Sequence, residues 1–497
     1  MRFRDLISHT LGLQFDDARL GFLAEVLRRR LEASGQRSDR YLARLASRVS
    51  TDDVAALAQE LTVGETYFFR HIEQYRAFTG IALPDRVRSA QTAGVRLQIL
   101  SAGCASGEEP YSLAIAVQDA GADRSAGVAI LGVDVNAAVL ERAGRGRFSA
   151  WVLRDTPLDV QRRWFRPEGR EFVLNDAARN AVRFAACNLA DEHLDLWQPE
   201  SQDIVFCRNM LMYFTPAKAR ALVRRLTVML RPGGYLFLGH AETLRGLSND
   251  FHLRHTHGTF YYQRRDHVSL GGDQDMAASS SPDRPILQSD PIDVSWVETI
   301  RRASERVETL VNNQDQSRSS LPPATPKPGR AWEIGLALEL LRKERFAEAL
   351  VLMDAYPAES GWDADVLLLR AVLLAHSGQF VEAERACERL LGLDELSAGA
   401  HYLLALCREG VGDRSGARYH DQVAVYLDPG FAMAHLHLGV LGRRTEDSVT
   451  ARREFEQAIL LLEREDTSRL LLFGGGFSRE ALVALCRAEL LGSGGRP

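Results

Sequence analysis

The chain has 497 residues, a net charge of −5 and a hydrophobic share of 45%. That length accommodates two folded domains and a helical module, each able to bury its own core. The acidic balance excludes a general nucleic-acid binder, and no apolar run of membrane length or secretory leader is present, so a cytoplasmic protein without membrane insertion is expected.

The first 50 residues hold ten Arg and no Lys against six acids. Arg40, Arg44 and Arg48 recur every four residues, which on a helix makes one stripe, and Arg28-Arg29-Arg30 adds a second cluster. This predicts a helical module, residues 1–75, whose basic face is either simply solvated or a dock for an acidic partner helix. Only one aromatic residue, Tyr41, stands among these arginines, so nucleic acid is the less suitable partner.

Val95 to Leu100 then reads as a buried strand, followed by Ser101-Ala102-Gly103-Cys104-Ala105-Ser106-Gly107-Glu108-Glu109 and a helical pattern from Tyr111 to Val117. A strand, a turn of small residues and a helix is how an open α/β sheet makes a nucleotide crevice, where bare backbone N–H groups act as donors. Glu108 and Glu109 would repel a phosphate. An acidic cradle suits a cationic nucleoside, and S-adenosylmethionine carries both a sulfonium and an ammonium group.

Further strands are expected at Ala129–Asp134, Val182–Leu189, Asp203–Asn209 and Tyr235–His240, with a helix from Pro216 to Leu230 stopped by Arg231-Pro232-Gly233-Gly234. Strands and helices alternate, so residues 76–264 are predicted to be an α/β domain with a largely parallel, Rossmann-like sheet. Asp134, Asn188, Arg208, Asn209 and Tyr213 fall at or just beyond the strands' C-terminal ends, where ligands bind in such sheets. Phe68 and Phe69 read as core. Six cysteines form no CxxC pair, so no disulfide framework and no metal site is expected.

Residues 265–328 are rich in Ser, Pro, Asp and Gln and are expected to be a flexible linker, with helical spacing only between Trp296 and Val311. Residues 329–491 repeat. Ala349, Ala383, Ala417 and Ala451 are 34 apart, as are Ala337, Ala371, Ala405 and Gly439, and Gly378 and Gly412. This period resembles the tetratricopeptide (TPR) repeat, which implies paired helices stacked in a solenoid whose concave face binds a peptide or protein. Three full repeats with partial flanking helices are expected to Leu462, then a capping helix from Ser478 to Leu491.

Four stretches carry a wider resemblance: Leu61-Thr62-Val63-Gly64-Glu65-Thr66-Tyr67-Phe68-Phe69-Arg70, the loop from Ser101 to Ala114, Phe206-Cys207-Arg208-Asn209-Met210-Leu211-Met212-Tyr213-Phe214, and Gly239-His240-Ala241-Glu242. Over roughly residues 1 to 264 the chain resembles the CheR family, S-adenosylmethionine-dependent methyltransferases that esterify glutamates of chemotaxis receptors. The resemblance implies donor contacts from Thr66, Arg70, Ala102, Glu108, Asp134, Asn188, Leu189, Arg208 and Asn209, with Tyr213 beside the reacting centre. Arg70 and Tyr213 are the catalytic candidates. Gly64, also at the cofactor site, stands where the family usually has Asn, so one side-chain bond to the donor is lost there.

Such chemistry needs placement more than proton transfer, because a free Glu, with a pKa near ~4.3, is already ionised at neutral pH. Arg70 is the residue to hold a carboxylate, either the substrate's or the donor's. Family members that tether to a receptor tail use a β-hairpin inserted in the sheet; Phe165 to Asn180 looks short, so no such tether is expected and the repeats take its place. The fused repeats resemble enzymes of alternative chemosensory pathways, including Wsp-type systems. Two alternatives stay open: a catalytically impaired scaffold acting through its repeats, and a methyltransferase for a non-protein substrate.

Overall fold

A computed structural model describes residues 2–46, 51–62, 64, 66–122, 127–266, 334–343, 345–354, 363–475 and 477–492. The linker beyond Asp266 and the helical stretch expected at Trp296–Val311 lie outside these. The chain divides into two compact units, to Ser280 and from Ser281.

The first unit opens with α1 (Arg2–Leu11), α2 (Leu20–Ser34), α3 (Ser38–Ala46) and α4 (Thr51–Leu61). Their apolar residues fall one turn apart, as Phe3 and Ile7 do on α1 and Tyr41 and Leu45 on α3, and close a core of their own with Leu23, Val26 and Leu57. That core ends at Leu61. From Phe68 onward, through α5 (Ile72–Ala77) and α6 (Leu83–Ala93), the apolar residues pack beneath the sheet instead, and Phe68 and Phe69 are buried there.

The main sheet has seven strands. β1 (Leu97–Ala102) is flanked by β2 (Val128–Asp134) on one side and, out of chain order, by β7 (Gln202–Cys207) on the other. α7 (Glu108–Asp119) connects β1 to β2, and α8 (Ala137–Arg145) follows β2. Every residue of β7 is buried, as expected of a parallel strand covered on both faces. The change of direction between β1 and β7 opens a crevice at their C-terminal ends.

Two additions were not legible in the sequence. A small antiparallel sheet of β3 (Arg147–Ser149), β4 (Phe165–Glu168) and β5 (Glu171–Leu174) precedes β6 (Val182–Ala186), with α9 (Leu158–Trp164) and α10 (Asp176–Asn180) around it. The stretch read as merely short thus holds a hairpin, turned at Gly169 with φ +64°. At the other edge, α11 (Pro216–Met229) leads into β8 (Leu230–Leu238), and β9 (Phe251–Thr256) and β10 (Thr259–Arg264) then add an antiparallel pair. β6, β2, β1, β7 and β8 are parallel, in that order. The Arg231–Gly234 stop signal does not precede β8 but lies within it, absorbed by a register shift between Gln202 and Ile204.

Among its described residues the second unit is all helix. Four antiparallel pairs follow one another: α12 (Ile334–Arg342) with α13 (Phe346–Asp354), α14 (Ala364–His376) with α15 (Phe380–Leu393), α16 (Ala398–Gly410) with α17 (Arg414–Leu427), and α18 (Ala432–Arg444) with α19 (Ser448–Leu462). α20 (Thr467–Phe473) and α21 (Arg479–Gly492) end it. Ala337, Ala349, Ala371, Ala383, Ala405, Ala417 and Ala451 are all at most 1% exposed, because the paired helices approach closely where these small residues sit. At Gly439 an added Cβ would stand 2.7 Å from the Phe455 ring.

Candidate active site

The turn after β1 is built from left-handed residues: Gly103 at φ +76°, Ala105 at +45° and Gly107 at +93°. Gly103 is required for space as well, since a Cβ there would lie 2.9 Å from Met210 Sδ across the crevice. Asp134, at the tip of β2, binds this turn: its Oδ2 accepts from Ala105 N at 2.9 Å and its Oδ1 from Asn136 N at 2.9 Å. Burial raises the Asp134 pKa, and those amide bonds oppose the rise.

The two glutamates of the turn do not line it as an exposed acidic cradle. Glu108 is 2% exposed, and Ser106 Oγ lies 2.8 and 3.0 Å from its two carboxylate oxygens. Burial pushes its pKa up to about 7. Glu109 accepts from Ser101 Oγ at 2.8 Å and from Arg208 Nη1 at 3.2 Å, so its charge is met inside the protein. The open carboxylate at the turn is that of Asp134.

Arg70 sits between two strained residues, Phe69 at φ +54° and His71 at +60°. Neither is Gly, so the backbone is held there by its surroundings. Phe68 N donates to the Val152 carbonyl at 2.9 Å, Phe69 N to Ser112 Oγ at 3.0 Å, and Arg208 Nη2 to the carbonyl of Arg70 itself. The Arg70 guanidinium lies 5.5 Å from the Tyr67 ring centre, and its Nε is buried without a protein partner. His71 stacks on His240 at 5.4 Å, and burial with the nearby Arg208 charge lowers its pKa to about 4.

The crevice gathers Gly103, Ala105, Asp134, Asn188, Leu189, Asn209 and Tyr213 on its walls. Ala102 is buried at the end of β1, and Arg208 is buried behind the wall. Gly64, Thr66 and Arg70 lie outside the walls of this crevice, as does Glu108. The Asn188 amide is already used, donating to the Thr10 carbonyl at 2.8 Å and accepting from Ala190 N at 3.1 Å.

Two contributors escaped sequence reasoning. The segment after α1 forms the facing wall with Leu13, Gln14 and Phe15. It is sewn on by Gln14 N to the Tyr213 carbonyl at 2.7 Å and Thr215 N to the Gly12 carbonyl at 3.1 Å. Glu242 is the second: one oxygen accepts from Asn209 N at 2.7 Å and Gly239 N at 2.8 Å, which fixes the loop carrying Tyr213 against the end of β8. The Gly239-His240-Ala241-Glu242 motif pointed to Glu242; nothing local pointed to Gln14.

The arginines of the helical module are largely committed within it. Arg28 pairs with Glu25 at 2.6 Å and with Glu32, and Arg44 reaches the buried Asp53 at 2.6 Å. Arg40 is exposed, and Arg48 lies outside the described residues.

A largely parallel sheet with a glycine turn at its switch point and a carboxylate at the tip of the next strand is the arrangement of an open α/β nucleotide-binding domain. The model of the CheR methyltransferase SAM-binding domain matches residues 64–260. Over 267 residues the chain is 33% identical to chemotaxis protein methyltransferase 2 of Vibrio cholerae, spanning 53% of this chain and 91% of that one. It is 30% identical over 464 residues to the probable biofilm formation methyltransferase WspC of Pseudomonas putida, and 29% over 460 to its counterpart in Pseudomonas aeruginosa, in both cases across 92% of this chain and 97% of the relative. The chain belongs to the CheR family of S-adenosylmethionine-dependent methyltransferases. Among the described residues no helix is long and apolar enough to cross a membrane, and no cluster of three metal-ligating side chains occurs.

Proposed function

We propose that the protein methylates glutamate carboxylates on the helices of a chemoreceptor in the cytoplasm, forming methyl esters. In this reading residues 1–75 meet the substrate, 76–264 hold the donor, and 265–328 link both to the repeats of 329–491, which recruit a partner. Chemotaxis methyltransferases among the relatives support the receptor as substrate.

The observation that carries the reading is Arg70: a guanidinium fixed by a strained turn, with one buried nitrogen open to an acceptor. A planar fork so held grips a carboxylate with two oxygens. S-adenosylmethionine, when bound, supplies a methyl on a sulfonium, and the chain supplies placement. Asp134 has lone pairs left for ribose hydroxyls, the backbone at Ala102, Asn188, Leu189 and Asn209 frames the nucleoside, and Tyr213 narrows the reacting end. Thr66 and Glu108 complete the donor's surroundings, and Arg208 acts through Arg70. No base is needed for an ionised nucleophile. His71, lowered to about 4, stays neutral at pH 7 and adds no charge beside Arg70. Arg40 is one exposed cation available to an acidic receptor helix.

Labelled methyl transfer to a receptor fragment tests this. The label must be released by mild base, as esters are, and Arg70→Ala must lose most transfer while its unfolding curve is unchanged. A base-stable product, or full activity in Arg70→Ala, overturns the assignment.

A further inference from the structure

The repeat array carries a segment of its own chain on its inner face. In a regular array the helix following α19 stacks upon α19. Here α21 takes that place, and α20, which precedes it, leaves the stack to lie against α14. The first helices α14 and α16 abut one another more closely than the second helices α15 and α17 do, so the first helices form the tighter inner layer of the curve. The end of α20 rests on that layer. The Phe473 ring meets Tyr402 of α16 at 5.8 Å and Phe431 at 5.1 Å, and Tyr402 Oη donates to the Phe473 carbonyl at 3.3 Å.

The seat is shaped and charged for this occupant. Phe473 is 2% exposed, and it rests on Gly399, where an added Cβ would come within 2.9 Å of its ring. Arg469, one helical turn earlier, donates to Asp428 Oδ2 at 2.8 Å, and its guanidinium lies 4.4 Å from the Phe431 ring centre. On its other side α20 only half fills the groove: Leu470 and Leu471 face a cavity of about 700 Å³ whose far wall includes Leu338, Leu341 and Phe346 of the first repeat.

We propose that this groove recognises an apolar helical segment of a partner protein bearing an Arg one turn before a Phe, and that α20 occupies the seat as an internal stand-in which the partner displaces. The Asp428 carboxylate and the Tyr402–Phe431 ring pair state the chemistry required: a cation for the one, an aromatic edge for the other. Self-occupancy weakens the partner's apparent affinity by the fraction of time the seat is open.

The test uses the full chain and a fluorescein-labelled peptide with the sequence of residues Glu465–Gly474, followed by fluorescence anisotropy. Wild-type protein is expected to bind weakly. Phe473→Ala, which empties the seat and leaves α21 in place, is expected to bind about tenfold or more tightly. A peptide with both Arg469 and Phe473 replaced by Ala must lose that gain, and so must Asp428→Asn added to the opened chain. Arg469→Ser gives a second opened variant should Phe473→Ala fail to fold. Equal binding by wild type and a folded opened variant overturns the proposal. So does a concentration-dependent dimer of the opened variant, because the seat would then serve a second copy of this chain. Donor affinity is read in parallel and is expected to be unchanged, which separates this outcome from that of the methyl-transfer reading.

Discussion

Arg208 donates from one guanidinium nitrogen to the carbonyl oxygen of Arg70 and from the other, at 3.2 Å, to the Glu109 carboxylate. The strained turn that presents Arg70 is thereby tied to a buried ion pair under the sheet's switch point, and Arg208 is a positioning residue for Arg70. Removing one member of such a pair leaves an uncompensated charge, which costs about 3–5 kcal/mol. Arg208→Ala is therefore expected to lower unfolding free energy by that order in chemical denaturation. Replacing both partners, Arg208→Met with Glu109→Gln, is expected to recover much of the stability but not methyl transfer, since the Arg70 carbonyl remains unheld.

Asp134 accepts two backbone amides and keeps further lone pairs for a ligand. If it binds two ribose hydroxyls at about 1.5–3 kcal/mol each, Asp134→Ala weakens donor binding by about 10²–10⁴-fold. Asp134→Asn is expected to lose less. Calorimetric titration with S-adenosylmethionine or its demethylated product decides it, and an unchanged affinity in a folded Asp134→Ala protein removes this residue from the site.

Glu108 gives the site a pH signature. Its folded pKa, about 7, lies above the ordinary value of 4.5, so the native state holds a proton that the unfolded state has released. Stability from this group is therefore present below about 4.5 and declines as pH rises to about 7. If the bound cationic donor acts on Glu108 it favours the ionised form, so binding should release a proton and tighten as pH rises through the same window. Titration calorimetry at pH 6.5 in buffers of different ionisation enthalpy is expected to show that release in the wild type and to lose it in Glu108→Gln.

Much of this was legible because it is local. A run of apolar residues ending in Asp134, a turn of small residues before Glu108 and a 34-residue spacing of alanines each announce one element or one repeat. What the sequence hid is long-range. Glu108 and Glu109 are adjacent and look alike, yet Arg208, about a hundred residues on, makes Glu109 an interior partner. Gln14 joins the site only because it hydrogen-bonds across to Tyr213. The stripe of Arg40 and Arg44 broke for the same reason: Asp53 of the next helix claims Arg44. The β9–β10 edge pair has half-buried strands with no tight-turn signature strong enough to stand out.

Gly64 departs from the family's motif at a position where the structure leaves room for a side chain. Its φ is not positive, and an added Cβ would meet only Val139 Cγ1, at 3.9 Å. A larger side chain therefore enters without strain. Gly64→Asn is expected to leave stability near that of the wild type and to tighten donor binding about 2–10-fold, the worth of one hydrogen bond of roughly 0.5–1.5 kcal/mol. Weaker binding in the variant would show that the space beside Val139 does not face the donor.

The repeats offer a test of stability free of the active site. Gly378 at φ +76°, Gly412 at +86° and Glu446 at +59° occupy the same place in successive helical hairpins. The hydrogen bonds agree as well: Gly412 N to the Glu409 carbonyl and Asp413 N to that of Arg408 recur as Glu446 N to Arg443 and Asp447 N to Gly442. The turn demands a left-handed residue, which costs an L side chain about 1–2 kcal/mol and glycine almost nothing. Glycine loses more freedom on folding, so the net gain from Glu446→Gly is expected to be about 0.5–1 kcal/mol, or roughly 1–4 °C in Tm for a unit of this size. Glu446→Ala, which keeps a Cβ, should show no such gain. The reverse change, Gly412→Ala, meets nothing within 4 Å, so any loss it causes comes from the backbone alone. Differential scanning calorimetry of these two variants and the wild type must order them Glu446→Gly, wild type, Gly412→Ala; a different order would mean the fourth hairpin relaxes its turn in solution.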